Sequence, residues 1–256
     1  MKLLNIARFA SSPHNLAVMA KKVSKRLADA RGSLSRAENY EWIKSNQSDP
    51  ERYARSLDSD LWDEALDYAN DLRQHAEAIL ANIPHVLGGG GFCALLYFLV
   101  RLKRPLAAFE TGVAAGWSTH AILSALAKNG KGHLYSSDFP YFRLPNPKQF
   151  IGVLVPKELH DRWTLCTLGD EACLPKFLDA VDRVDFLHYD SDKSYSGREF
   201  VIRSVSSKTH VNTTVVMDDI EDNSFFHDFV ADKNWRIFSS GNNCVGLVEN
   251  SALAAN

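Results

Sequence analysis

The sequence predicts an α/β fold, a mostly parallel sheet whose strands alternate with helices, preceded by an extension that is helical throughout. Three observations carry this. From Ala107 onward short apolar runs recur between helical patterns, and such alternation builds a parallel sheet covered on both faces. The last two runs, Trp235 to Ser239 and Cys244 to Glu249, are separated only by Ser240-Gly241-Asn242-Asn243, so they form a hairpin and one of them is antiparallel. Before the first strand, apolar residues fall at spacings of three and four, the helical period.

The chain has 256 residues, enough for one large domain or for a domain with a helical appendage. The second is favoured, with an N-terminal helical extension over 1–87 and the α/β domain over 88–256. A net charge of −2 and a pI near 6.5 advertise no nucleic-acid surface and no acidic tail. Arg8 interrupts the apolar patch of Met1 to Ala10 before it reaches signal length. No run approaches the roughly 20 apolar residues of a membrane helix. Cys93, Cys166, Cys173 and Cys244 form no C-x-x-C pair and have no histidine at metal spacing, so neither a disulfide nor zinc is expected, and a reducing cytoplasm fits.

In the extension, Pro13 follows Ser12 as a first helical residue follows its cap, and Leu16, Met19, Val23 and Leu27 form a face that Gly32 ends. Ser35-Arg36-Ala37-Glu38 matches a capping box. Asp49-Pro50 opens another helix, and Leu61, Ala65, Tyr68, Leu72, Ala76 and Ile79 outline a long amphipathic one closed by Pro84. These faces bury core, cover a site or form a homodimer contact; the pattern leaves all three open. Gly88-Gly89-Gly90-Gly91 marks either a close backbone approach or a flexible joint. It leads into a helix from Phe92 to Lys103.

The parallel strands are expected at Ala107 to Gly112, Gly132 to Asp138, Trp163 to Leu168, Val184 to Asp190 and Thr213 to Asp218. Glu110, Asp138, Asp190 and Asp218 lie at strand ends, and Asp170 lies just past another. In an open parallel sheet the carboxyl ends border the ligand crevice, although Asp is also an ordinary cap and turn residue. The stretch Phe109 to Thr119 reads as strand, tight turn and helix N-terminus, a loop for a nucleotide-type cofactor. It lacks the G-x-G-x-x-G of a dinucleotide site, which disfavours an oxidoreductase. The stretch Phe139 to Pro147, rich in proline and aromatics, is expected to be a lid or substrate wall, or ordinary loop packing. His188 reads as a core histidine inside a strand and His120 as a helix-surface or rim residue.

Glu110-Thr111-Gly112-Val113-Ala114-Ala115-Gly116-Trp117-Ser118 resembles the first motif of class I S-adenosylmethionine-dependent methyltransferases, in the form found in cation-dependent small-molecule O-methyltransferases of the catechol and caffeoyl-CoA type. That resemblance covers about Gly88 to Glu249. It implies a Rossmann-like, seven-stranded sheet of order 3-2-1-4-5-7-6 with strand 7 antiparallel, and S-adenosylmethionine as cofactor. By the same resemblance Gly112, Gly116 and Ser118, after Glu110, hold the methionine end, Asp138 the ribose hydroxyls, and Gly169-Asp170 lie near the adenine.

Asp190-Ser191-Asp192-Lys193 resembles the segment after strand 4 in that family, where the first acid binds metal and cofactor. Asp218-Asp219 resembles the pair found in antibiotic-sugar O-methyltransferases. Asp190, Asp218 and Asp219 on neighbouring strand ends would repel one another without a cation, so Mg²⁺ is expected there. Lys193 is the general base if the catechol type holds and Asp192 if the sugar type does. The implied acceptor is a hydroxyl of a small molecule or sugar. Two readings stand beside it: a metal-independent methyltransferase, and a non-catalytic binding protein of the same fold.

Overall fold

The computed structural model describes residues 2–27, 32–241 and 243–249. The extension contains α1 (Lys2–Ala10), α2 (Pro13–Leu27), α3 (Arg36–Ser45), α4 (Pro50–Leu57) and α5 (Ser59–Leu80). The α/β part follows as α6 (Cys93–Lys103), β1 (Ala107–Thr111), α7 (Trp117–Lys128), β2 (His133–Ser137), β3 (Trp163–Cys166), α8 (Asp170–Asp179), β4 (Phe186–Tyr189), α9 (Tyr195–Ser206), β5 (Thr214–Asp218), α10 (Phe225–Phe229), β6 (Asn234–Ser240) and β7 (Asn243–Glu249).

The seven strands form one sheet of order β3-β2-β1-β4-β5-β7-β6. β1 pairs in parallel with β2 and β4, and β4 with β5, while β7 runs antiparallel to both β5 and β6. This is the expected order and direction. Period-two alternation sends neighbouring residues to opposite faces. Ala108, Phe186 and Val216 pack with α5, α6 and α7 on one face, and Phe109, Leu187, Val215 and Met217 pack with α8 and α9 on the other. α6 is buried almost all round: Leu95, Leu96, Phe98, Leu99 and Val100 are each at most 2% exposed. At about 1.5–3 kcal/mol per fully buried apolar side chain, α6 is a pillar of that layer.

Local signals place the extension's helices. Ser35 Oγ accepts from the Glu38 N–H while Glu38 accepts from the Ser35 N–H, the reciprocal capping box. Asp49 caps α4 ahead of Pro50, and Asp58 caps α5. α1 was not expected, and the end of α2 near Gly32 and the hairpin position Asn242 adjoin or fall in residues outside those described. Gly88 to Gly91 form an irregular link in which the backbone closely approaches a neighbour: a Cβ on Gly90 would stand 2.5 Å from the Trp117 ring.

One expectation is overturned. Cys166 and Cys173 form a disulfide with Cα atoms 5.8 Å apart. They lie seven positions apart in sequence, but β3 turns at Gly169 straight into α8 and brings the end of the strand against the first turn of the helix. Cysteine usage therefore gives no argument for a reducing compartment. No helix among the described residues is long and apolar enough to cross a membrane.

Candidate active site

β1 delivers the glycine loop. Gly112 has φ +85° and Gly116 φ +99°, with Ala114 at φ 50° between them. A Cβ at Gly112 would meet the Asp190 carbonyl oxygen, and one at Gly116 would meet Gly152 and Val155. The loop is thus wedged between the β4 turn and the segment 150–155, whose Gly152 and Leu154 N–H groups donate to Ala114 and Ala115. Asp138, just past β2, accepts from the N–H groups of Val113 (3.3 Å) and Ala114 (2.9 Å) with Oδ2 and from Phe139 (2.5 Å) with Oδ1. α7 starts at Gly116 with no side-chain cap, so its first N–H groups suit a ligand's anionic end.

Between β4 and α9 the chain carries five successive polar residues, Asp190 to Ser194. Ser191 Oγ donates to Asp170 at 2.6 Å, and Ser137 Oγ donates to the other oxygen of Asp170 at 2.6 Å. Asp192 accepts from the Ser194 N–H at 3.1 Å. It packs so closely on α9 that a Cβ on Gly197 would stand 2.7 Å from its Cγ. Lys193 Nζ is held by Asp190 on one side and Asp219 (2.6 Å) on the other. Burial works against the Lys193 ammonium, but Asp190 and Asp219 outweigh it and hold its pKa above the usual lysine range. Burial, helped by the nearby Asp218, pushes the Asp190 carboxyl up to about 6 despite the lysine. An ammonium between two carboxylates is the geometry of a charged lysine.

Beneath these turns lies a buried polar row fixed by register. Ser136, Glu110 and His188 sit side by side on adjacent strands and face α7. Glu110 accepts from Ser118 Oγ (2.7 Å), Thr119 Oγ1 (2.7 Å) and Ser136 Oγ (2.8 Å). His188, fully buried, has Nδ1 3.4 Å from Glu110 and Nε2 3.6 Å from Asp218. Burial disfavours its charged form, yet Asp218 and Glu110 outweigh that and raise its pKa to about 10. Arg198, also fully buried, donates to the Asp218 and Asp219 carbonyls (3.0 and 2.6 Å). It holds Asp219 in a left-handed conformation (φ 53°), which aspartate tolerates better than most residues.

A cavity of about 920 Å³ opens at these strand ends. Of the residues expected at a site, it is lined by Gly112, Ser118, Asp138, Gly169, Asp170, Asp190, Asp192, Lys193, Asp218 and Asp219. Glu110 and Gly116 are not among its walls: Glu110 is sealed under the loop and Gly116 packs on Gly152. The extension contributes as well. α2 supplies His14, Val18 and Lys21 to the cavity wall, with His14 Nε2 3.0 Å from the Leu168 carbonyl and Lys21 paired to Glu171. In α1, Phe9 meets Phe139 edge-on (5.4 Å) and Asn5 donates to the Arg143 carbonyl. Of the 139–147 stretch, Phe139 to Arg143 line the cavity, with Tyr141 donating to the Leu87 carbonyl at 3.1 Å, while Leu144 packs against core.

The magnesium site expected at Asp190, Asp218 and Asp219 is not supported. Among the described residues no group of three His, Cys, Asp or Glu is disposed to hold a metal ion. Asp190 and Asp219 converge on Lys193, and Asp218 turns toward His188. Sequence reasoning also missed Arg198, whose place in the first turn of α9 gives no sign of the carbonyls it meets. His188 was legible only as buried; its neighbours required the strand register.

A family model described as a methyltransferase domain matches residues 109–220. No curated protein matches the chain significantly. Among solved structures, cofactor-bound Rv0187 from MTB is 16% identical with a TM-score of 0.55, covering 80% of this chain and 98% of that one. TomG from Streptomyces achromogenes, an O-methyltransferase involved in tomaymycin synthesis and solved in complex with SAM, is 14% identical (TM-score 0.52; 70% and 89% covered). An O-methyltransferase from Bacillus cereus in complex with SAH is 14% identical (TM-score 0.51; 81% and 99% covered). At these identities the likeness is one of fold, the class I methyltransferase fold.

Proposed function

We propose that this chain, which has the fold of the class I S-adenosylmethionine-dependent methyltransferases, transfers a methyl group to a hydroxyl of a small molecule or sugar, and does so without magnesium. The observation that carries the reading is the convergence, in one cavity, of the glycine loop after β1 with Asp138, Asp170, Asp192 and Lys193. The residues fit the cofactor: the turn at Gly112 has no room for a side chain, and the uncapped start of α7 suits a carboxylate. In this assignment Gly112 and Ser118 border the methionine end, Asp138 the ribose, and Gly169 and Asp170 the adenine. Glu110 and Gly116 shape the loop from behind. The cofactor site is assigned to the 88–256 domain, and of the 1–87 extension α2 lines the cavity while α1 meets its rim.

S-adenosylmethionine, when bound, would supply a methyl carbon on a sulfonium, the new oxygen–carbon bond replacing the sulfur–carbon bond whose electron pair would stay on sulfur. The protein must orient the acceptor and take its hydroxyl proton. Lys193, charged and fixed between two acids, is poorly suited to accept a proton. We assign it to hold the acceptor oxygen. Asp192, held on the first turn of α9 at the cavity wall, takes the proton. Leu4 and Leu16 of the first two helices are exposed and lie outside the cavity lining, which supports a homodimer through the extension; light scattering tests it.

Calorimetry with S-adenosylhomocysteine tests the cofactor assignment, and absence of binding by folded protein would sink it. With an acceptor in hand, Asp192→Asn is expected to lower kcat about 10²-fold or more while cofactor affinity stays unchanged. Equal losses in both would make Asp192 a binding residue instead.

A further inference from the structure

We infer that the acid cluster at the ends of β4 and β5 carries built-in counter-charges: Lys193 stands where a divalent cation would bind, and His188 supports Asp218 from behind. The role given to this pairing in catalysis rests on the methyl-transfer reading; the pairing itself does not.

Four carboxylates, those of Asp190, Asp192, Asp218 and Asp219, border one wall of the cavity. In a metal site, carboxylates on neighbouring strand ends converge on a common centre that the ion fills. Here the centre of convergence is a side chain. Asp190 and Asp219 reach the same ammonium from β4 and from the turn after β5. Asp218, one position away, has Oδ2 directed to the buried imidazole of His188, whose other nitrogen faces Glu110.

The arrangement is braced on each side. Asn223 Nδ2 donates to the Lys193 carbonyl at 2.7 Å, and Ser194 next to it caps α9. Arg198 clamps the two carbonyls that aim Asp218 and Asp219. A divalent ion at the same oxygens would face the repulsion of the ammonium at close range. Two carboxylates account for two of the three N–H donors of Lys193. The third direction is the one an acceptor oxygen meets, and a fixed ammonium there favours the deprotonated hydroxyl as a bound cation would.

The test is metal binding by the whole chain, stripped with EDTA and titrated with Mn²⁺ while free Mn²⁺ is read by electron paramagnetic resonance. The wild type is expected to take up no stoichiometric Mn²⁺. Lys193→Ala, by uncovering Asp190 and Asp219, is expected to bind it roughly tenfold or more tightly than the wild type, and Lys193→Arg to behave as the wild type. One-to-one binding by the wild type overturns the inference, as does a folded Lys193→Ala no better than the wild type. If that variant fails to fold, the wild-type titration decides. Binding of S-adenosylhomocysteine in the same samples keeps the questions apart: its absence removes the methyl-transfer reading, while the Mn²⁺ result still judges the pairing.

Discussion

A Cβ placed on Gly112 would stand 2.2 Å from the carbonyl oxygen of Asp190, so the turns after β1 and β4 touch through their backbones. The contact sets the spacing between the glycine loop and the segment that carries Asp192 and Lys193.

Gly112→Ala is therefore expected to destabilise the fold by about 2–3 kcal/mol, through a strained φ and a backbone clash that cannot relax cheaply, and to abolish binding of S-adenosylhomocysteine. Gly130 is the control: its φ is +70° but nothing lies within 4 Å of an added Cβ, so Gly130→Ala should cost only about 1 kcal/mol. Thermal denaturation of both variants checks the contrast, and equal losses would contradict it.

Two histidines predict opposite pH effects. Burial, with His75 nearby, lowers the His120 pKa to about 4 from the usual 6.5, so its contribution is present above pH 6.5 and lost as pH falls toward 4. For His188 burial is outweighed by Asp218 and Glu110, and the pKa rises to about 10. That contribution is complete below pH 6.5 and lost as pH rises toward 10. Urea midpoints between pH 4 and 10 should show His120→Gln flattening the acid limb and His188→Gln the alkaline one. Nitrogen NMR should find the His188 ring doubly protonated at pH 8; a neutral ring would refute the assignment.

Denatured, unreduced protein should present two reactive thiols, those of Cys93 and Cys244, since the other pair is bridged. Reduction is expected to lower stability by about 2 kcal/mol, the loop-entropy value for so short a closure, and Cys173→Ser to abolish the difference. Four thiols in the unreduced sample would show that the bridge does not form.

The strands were legible because each apolar run ends in a turn residue, and the helices of the extension because Ser35, Asp49 and Pro50 are local signals whose partners lie three or four residues away. Local order also made the acids readable, since a parallel sheet gathers its carboxyl ends on one side. The partners of those acids were not. Lys193 reaches Asp219 across two elements, and His188 meets Glu110 only because β1 and β4 pair in that register. Period-two alternation, applied across strands and not only along them, would have placed Glu110 and His188 on one face. α1 lacked any signal because its partners, Phe139 and Arg143, lie far along the chain. Cys166 and Cys173 escaped for a related reason, their meeting being set by the tight turn at Gly169.

The contacts of α1 and α2 with the cavity rim also bear on timing. Val18 of α2 and Phe139 both stand 3.8 Å from where a Cβ on Gly169 would lie, with the Lys21 and Glu171 pair and the Phe9 and Phe139 ring contact nearby. These are few, and several are exposed, so each opens at small cost. On the methyl-transfer reading, the residence time of spent cofactor, and with it the turnover ceiling, would be set by how often α1 and α2 lift away.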